Sequence, residues 1–208
     1  MLKKLYHKLF PDFIFELEKE LEGNESFLDL ACGVNTPIKK YSKKYYSVGI
    51  DLFKPSIEES QKKGLHKEYI NKDVLNETRK LGEKSFDCVV ALDFIEHLSK
   101  EDGNELIKNM EKIAKKKVII FTPNGFLKQG EHSGNKWQKH ISGWNVEEMK
   151  KKGYSVKGIE GYKKIRGEFA KIKYKPFVFW RVLSDVSQKF MKNHPKQAFA
   201  ILCVKNIK

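Results

Sequence analysis

The stretch Phe27–Pro37, FLDLACGVNTP, decides how the rest of the chain is read. It opens as a buried strand, carries an acid at Asp29, and breaks at Ala31-Cys32-Gly33. A dinucleotide-binding turn uses three glycines to bring backbone against a pyrophosphate; here only the middle one, Gly33, is present. Gly33 sits at the tightest point, where the missing side chain lets the backbone approach a ligand. Ala31 is the smallest replacement for a first glycine, and Asn35, in the last slot, tolerates a positive φ better than most residues. Taken alone, the loop suits a plain turn as well as a ligand.

Outward from this loop, apolar runs and helical patterns alternate. YSVGIDLF, KEYINKDVLN, FDCVVALDF and KVIIFTP read as four further strands, and YSVKGIEGY and AFAILCVKN as two late ones. Between them KPSIEESQKKG reads as a helix capped by Ser56. KEDGNELIKNMEKIAKK sets Leu106, Ile107, Met110, Ile113 and Ala114 along one helical face, and NVEEMKKKGY is a helix with Asn145 as cap. Strands alternating with helices predict an α/β fold, a Rossmann-like doubly wound sheet of seven strands in three α/β/α layers. The two late strands predict a hairpin at one edge. The expectation is a single domain over 1–208, with an N-terminal helical segment at 1–24 and a helical insertion or cap at 162–196.

Acids recur at the strand ends. Asp51 follows the second strand about twenty residues after the loop, where its two oxygens can accept both hydroxyls of a ribose. Asp73 follows the third, placed to take an adenine amino group with Val74 over the ring. FLDLACGVNTP, VGIDLF, NKDVL, FDCVVALDFIEHL and KVIIFTPNG, in that order from Ser26 to Asn124, resemble the class I S-adenosylmethionine-dependent methyltransferases, in particular the small type 11 and type 23 domains. The resemblance implies S-adenosylmethionine as cofactor and a mostly parallel sheet with one antiparallel edge strand. It puts Asp29 and Gly33, with Ala31, on the methionine side, Asp51 and Leu52 at the ribose, Asp73 and Val74 at the adenine, and Leu92 and Asp93 near the sulfonium. That cofactor has no pyrophosphate, so the full glycine set is not required.

Asp93, Glu96 and His97 follow the fourth strand, and His140 lies after the fifth. Such groups can take the acceptor's proton. In related O-methyltransferases similar segments hold a divalent metal, and carboxylates with imidazoles suit one; the plainer alternative is that Glu96 and His97 orient their loop. Thr122–Gly125, TPNG, shapes the substrate mouth or simply ends a strand. His132 and Trp137 lie in a polar loop that reads as a lid or a solvent loop. Lys175–Pro195 mixes Phe177, Phe179, Trp180, Leu183 and Phe190 with basic residues: a core-covering helix, an acceptor cap, a surface helix for anionic lipid, or a base-stacking platform.

A formal net charge of +14 points to an acidic partner: RNA, an anionic membrane surface contacted peripherally, or a phosphorylated substrate. Arg79, Arg166 and Arg181 are the only arginines, which weighs against base readout. No apolar run approaches the roughly 20 residues of a membrane span. Scattered Cys32, Cys88 and Cys203 read as buried free thiols, consistent with a cytoplasmic protein. The leading expectation is methyl transfer to an O, N or C nucleophile of a small-molecule acceptor. An RNA 2′-O-methyltransferase and a non-catalytic cofactor-binding scaffold are the alternatives.

Overall fold

The computed structural model describes residues 12–131 and 136–208. Residues 1–11 of the expected N-terminal helical segment, and His132, lie outside them. Seven strands form one sheet in the order β3-β2-β1-β4-β5-β7-β6. The parallel strands are β1 (Ser26–Leu30), β2 (Tyr46–Ile50), β3 (Glu68–Ile70), β4 (Phe86–Leu92) and β5 (Ala114–Pro123). β7 (Ala198–Asn206) runs antiparallel between β5 and the edge strand β6 (Ser155–Tyr162). β1 and β4 are neighbours in the sheet but distant in sequence, so the strand order reverses there and a crevice opens beyond their carboxyl ends.

Burial explains the strand readings. All seven β4 residues are buried, as expected of a central strand covered on both faces. Val89 and Ala91 join the core on one face with Trp144; Cys88, Val90 and Leu92 join the core on the other with Leu17 and Leu21. The cysteines are free and buried.

Among the described residues the α-helices are α1 (Phe13–Leu21), α2 (Lys39–Ser42), α3 (Lys54–Lys62), α4 (Val74–Thr78), α5 (Lys100–Ile113), α6 (Val146–Lys151) and α7 (Phe177–Met191). α1 pads the sheet: Leu17 and Leu21 are buried, Phe13 stacks on Phe121 at 4.1 Å, and buried Glu16 pairs with Lys157 and Lys192. α5 starts at its cap Ser99 and turns Leu106, Ile107, Met110 and Ile113 inward. Its Gly103 is required by contact: a Cβ there would strike the Trp144 ring.

Three local expectations change. Ser56 is no cap; α3 begins at Lys54 with Phe53 in the cap position and Pro55 in its first turn, which leaves Ser56 buried in the helix. Ala114 does not extend α5, because the chain turns extended there and β5 begins without a linker. The left-handed positions of the first loop are Ala31 (φ 55°) and Gly33 (φ 59°), while Asn35 is not among them. Asn145 caps α6 as expected, exchanging hydrogen bonds with Glu148 in a capping box.

Candidate active site

Two cavities adjoin at the carboxyl ends of the strands. The first, about 350 Å³, is lined by Ala31, Gly33, Asp51, Leu52, Asp73, Val74, Asp93 and His97, together with Phe53, Ser99, Asp102, Trp137 and Ile141. The second, about 280 Å³, is lined by Asp93, Glu96, His97, His140 and Glu160 under an apolar wall of Phe121, Leu127, Phe169 and Phe199. Asp93, His97 and Gln138 belong to both.

The first cavity is built around Asp51. Its Oδ2 accepts the Gly33 N–H at 2.9 Å and its Oδ1 the Phe53 N–H at 2.8 Å. The carboxylate thus clamps the loop after β1 to the start of α3. Burial raises its pKa, the Phe53 and Gly33 amides oppose that, and the Asp29 charge adds to it. Each oxygen keeps a lone pair for a further donor. Asp73 caps α4 by accepting the Asn76 N–H at 2.8 Å, so its second oxygen is the one left for a ligand.

Two residues expected here line neither cavity. Asp29 is buried, and His66 Nε2 donates to its Oδ2 at 2.9 Å. A buried carboxylate needs such a partner, and the strand's pleat turns Asp29 toward it. Gly49 makes room for the pair, since a Cβ there would lie 2.9 Å from both Cys32 Sγ and His66 Nδ1. Leu92 points into the core on the α1 face.

The second cavity gathers groups from three segments. The Ile141 and Ser142 N–H groups donate to the Glu96 carbonyl at 2.9 and 3.0 Å. Those backbone bonds bring His140 against His97, with ring centroids 4.8 Å apart. His97 Nδ1 lies 3.0 Å from the Lys139 carbonyl and His140 Nδ1 2.7 Å from the Leu127 carbonyl. A carbonyl only accepts, so both Nδ1 atoms donate, and each neutral ring keeps Nε2 as an acceptor. Burial holds both imidazoles below the usual histidine range.

The acids move the other way. Asp93 opens onto both cavities yet is enclosed by protein; desolvation, and then the Glu160 charge, push its pKa up to about 7. Its backbone is left-handed, with φ 52°. Glu96 is raised well above the carboxylate range by burial and by Asp93. Thr122 Oγ1 donates to its Oε2 at 3.0 Å, and its Oε1 has no partner among the described residues. Ligand atoms of Glu96, His97 and His140 lie within 4.8 Å of one another. Glu160 was not singled out from sequence; its signal is an acid between Ile159 and Gly161 inside a strand, where it too is raised by burial.

Residues 28–122 match the family model described as a methyltransferase domain. Over this segment the chain is similar to methyltransferase domains. No curated protein matches the sequence significantly. The methyltransferase fold recurs in solved structures. A SAM-dependent methyltransferase from Archaeoglobus fulgidus is 18% identical with a TM-score of 0.58, covering 98% of this chain and 99% of that one. Phosphoethanolamine N-methyltransferase 2 of Haemonchus contortus, in complex with S-adenosylmethionine, is 15% identical at a TM-score of 0.58, covering 94% and 52%. Magnesium protoporphyrin IX methyltransferase of Synechocystis, with bound SAM, is 14% identical at 0.50, covering 93% and 74%. Both of these last two structures contain S-adenosylmethionine. Among the described residues, no helix is long and apolar enough to cross a membrane.

Proposed function

We propose that the first cavity holds S-adenosylmethionine and the second a small-molecule acceptor, methylated on an O, N or C nucleophile. The observation that carries this reading is the shared wall: Asp93, His97 and Gln138 border both cavities, so reactants lying in the two would meet there. In the first cavity Asp51 takes the ribose hydroxyls on its remaining lone pairs, Asp73 faces the adenine, and Ala31 and Gly33 give close backbone approach beside the methionine.

The bound sulfonium supplies an activated methyl group. The chain's own work is alignment, exclusion of water and removal of the nucleophile's proton. Asp93 in its ionised form, or the Nε2 atoms of His97 and His140, take that proton. The apolar wall of Phe121, Leu127, Phe169 and Phe199 dries the acceptor side, which strengthens each polar contact there. A labelled-methyl transfer screen across small metabolites, RNA and protein tests the assignment. Transfer to a small molecule that falls with Asp93→Asn supports it; transfer to RNA alone rejects it.

One observation favours a second reading of the acceptor side. Glu96 Oε1 is buried without a partner among the described residues, and ligand atoms of Glu96, His97 and His140 lie within 4.8 Å of one another, a donor set that fits a divalent cation. Glu96, His97 and His140 would hold the ion, which supplies Lewis-acid lowering of an acceptor hydroxyl's pKa. Calorimetric titration with manganese and zinc tests this without activity: saturable binding lost in His140→Ala supports the metal, and no binding removes it.

A further inference from the structure

Helix α7 packs with its polar side inward. Ser184 and Gln188 are buried, and Ser187 is half-buried beside them. Gln188 Oε1 accepts the Gly161 N–H at 2.8 Å and its Nε2 donates to the Gly158 carbonyl at 3.0 Å. Ser187 Oγ accepts the Tyr162 N–H at 2.9 Å. The cause is the sheet edge. β6 has an unpaired side whose backbone groups need partners, and α7 supplies them from side chains. Gly158 and Gly161 let the helix approach; a Cβ on Gly158 would strike the Met191 carbonyl.

The outward side is then apolar. Val178, Val182, Val186 and Phe190 recur every fourth residue along the exposed face, and Phe179 and Leu183 lie next to that row. Val178 is 77% exposed, Phe190 62% and Phe179 59%. Fold stability does not call for this stripe, because it packs on none of the described cores. A contiguous apolar helix face of this kind marks a binding surface. Arg181 and Lys189 are exposed on the helix itself, exposed Lys171, Lys173 and Lys175 lead into it, and Asp185 is the single acid between Lys171 and Lys196.

We propose that α7 is a peripheral docking surface for an anionic lipid bilayer, lying in the interface with its Val/Phe stripe among the acyl chains and its lysines at the headgroups. Charge complementarity selects this occupant. A second copy carries the same +14 and the same basic rim, so face-to-face pairing is opposed. Nucleic acid would draw on the lysines and stack on Phe179 and Phe190, but it would leave the aliphatic row Val178-Val182-Val186 in water, whereas acyl chains cover that row and the rings together. An apolar stripe with a basic border is the pattern of an in-plane amphipathic helix, and each basic group near an anionic surface adds to binding.

The test is co-sedimentation of the full chain with phosphatidylcholine vesicles and with vesicles containing 30% phosphatidylglycerol. We expect binding to the anionic vesicles at least tenfold tighter than to the neutral ones, weakened by added salt. Val178→Ser/Val182→Ser/Val186→Ser should weaken it at least tenfold with an unchanged circular dichroism spectrum. Phe179→Ser/Phe190→Ser repeats the test at other positions should the first variant misfold. The proposal is overturned by no vesicle binding, by vesicle binding unchanged in both variants, or by stripe-dependent dimerisation in sedimentation velocity without lipid. RNA binding that survives both stripe variants, with no vesicle binding, assigns the charge to RNA and also overturns it.

Discussion

On the Asp51 side of the shared wall, each carboxylate oxygen already accepts a backbone N–H. On the Glu96 side, one carboxylate oxygen accepts nothing from the described residues, and burial pushes the pKa of its neighbour Asp93 up to about 7. The first cavity is a set of acids held rigid by the backbone amides they accept. The second is a set of acids and neutral imidazoles kept out of water, with capacity to spare. The contrast fits the two jobs proposed: a pre-organised cradle needs fixed acceptors, whereas proton transfer needs groups that titrate near the working pH.

The largest expected effect breaks the second cavity while sparing the first. His140→Ala should slow methyl transfer by roughly 10²–10⁴-fold, the scale of a lost proton acceptor. Binding of S-adenosylmethionine should stay within about twofold. A parallel loss of cofactor affinity would show that the cavities are not separable.

Next in size is the support beneath the first cavity. His66→Ala leaves the Asp29 carboxylate buried without its 2.9 Å partner. Stability should fall by about 1–3 kcal/mol, the cost of an unsatisfied buried acceptor. Urea denaturation measures it, and an unchanged midpoint would mean water or another donor replaces the imidazole.

A smaller effect is read in pH. With the Asp93 pKa raised to about 7, its base form grows as pH rises, so transfer should increase between about pH 6 and pH 8. Burial holds His97 and His140 below the usual histidine range, so their titration lies under that of Asp93. Asp93→Asn should remove the limb and keep the backbone, because asparagine accepts the left-handed conformation. Stability follows the same group with the opposite sense. A folded pKa above the unfolded one favours the fold fully below about pH 4, and that contribution is lost as pH rises through about 7. Thermal unfolding at pH 5 and pH 8 should therefore show a smaller fall for Asp93→Asn than for the parent.

The first cavity was more legible than the second for a physical reason. Its acids stand at strand ends at regular spacing, so the topology carries them to one rim without tertiary detail. Fold class, strand number and the edge hairpin follow from the same alternation. What sequence spacing does not show is pairing across the chain. Asp29 meets His66 through a contact 37 residues away, which turns it from the cavity toward the core. His140 reaches His97 only because two amides bond the Glu96 carbonyl. Helix α7 shows the limit of periodicity. Its amphipathic pattern is plain, but the free edge of β6, not an apolar core, chose which side faces inward. Ser56 shows the same for caps: a serine of the right type lost to a start fixed by Pro55.

The most direct test compares cofactor affinity across the wall, and it needs no knowledge of the acceptor. S-adenosylmethionine is titrated calorimetrically at pH 8 into the parent, Asp51→Ala and Asp93→Asn. The account predicts one-to-one binding by the parent and a loss of roughly 1.5–3 kcal/mol, tenfold or more, for Asp51→Ala, the scale of charged hydrogen bonds. It predicts a change within about twofold for Asp93→Asn. Equal losses in the two variants, or a loss confined to Asp93→Asn, would contradict the division into a cofactor cavity and an acceptor cavity.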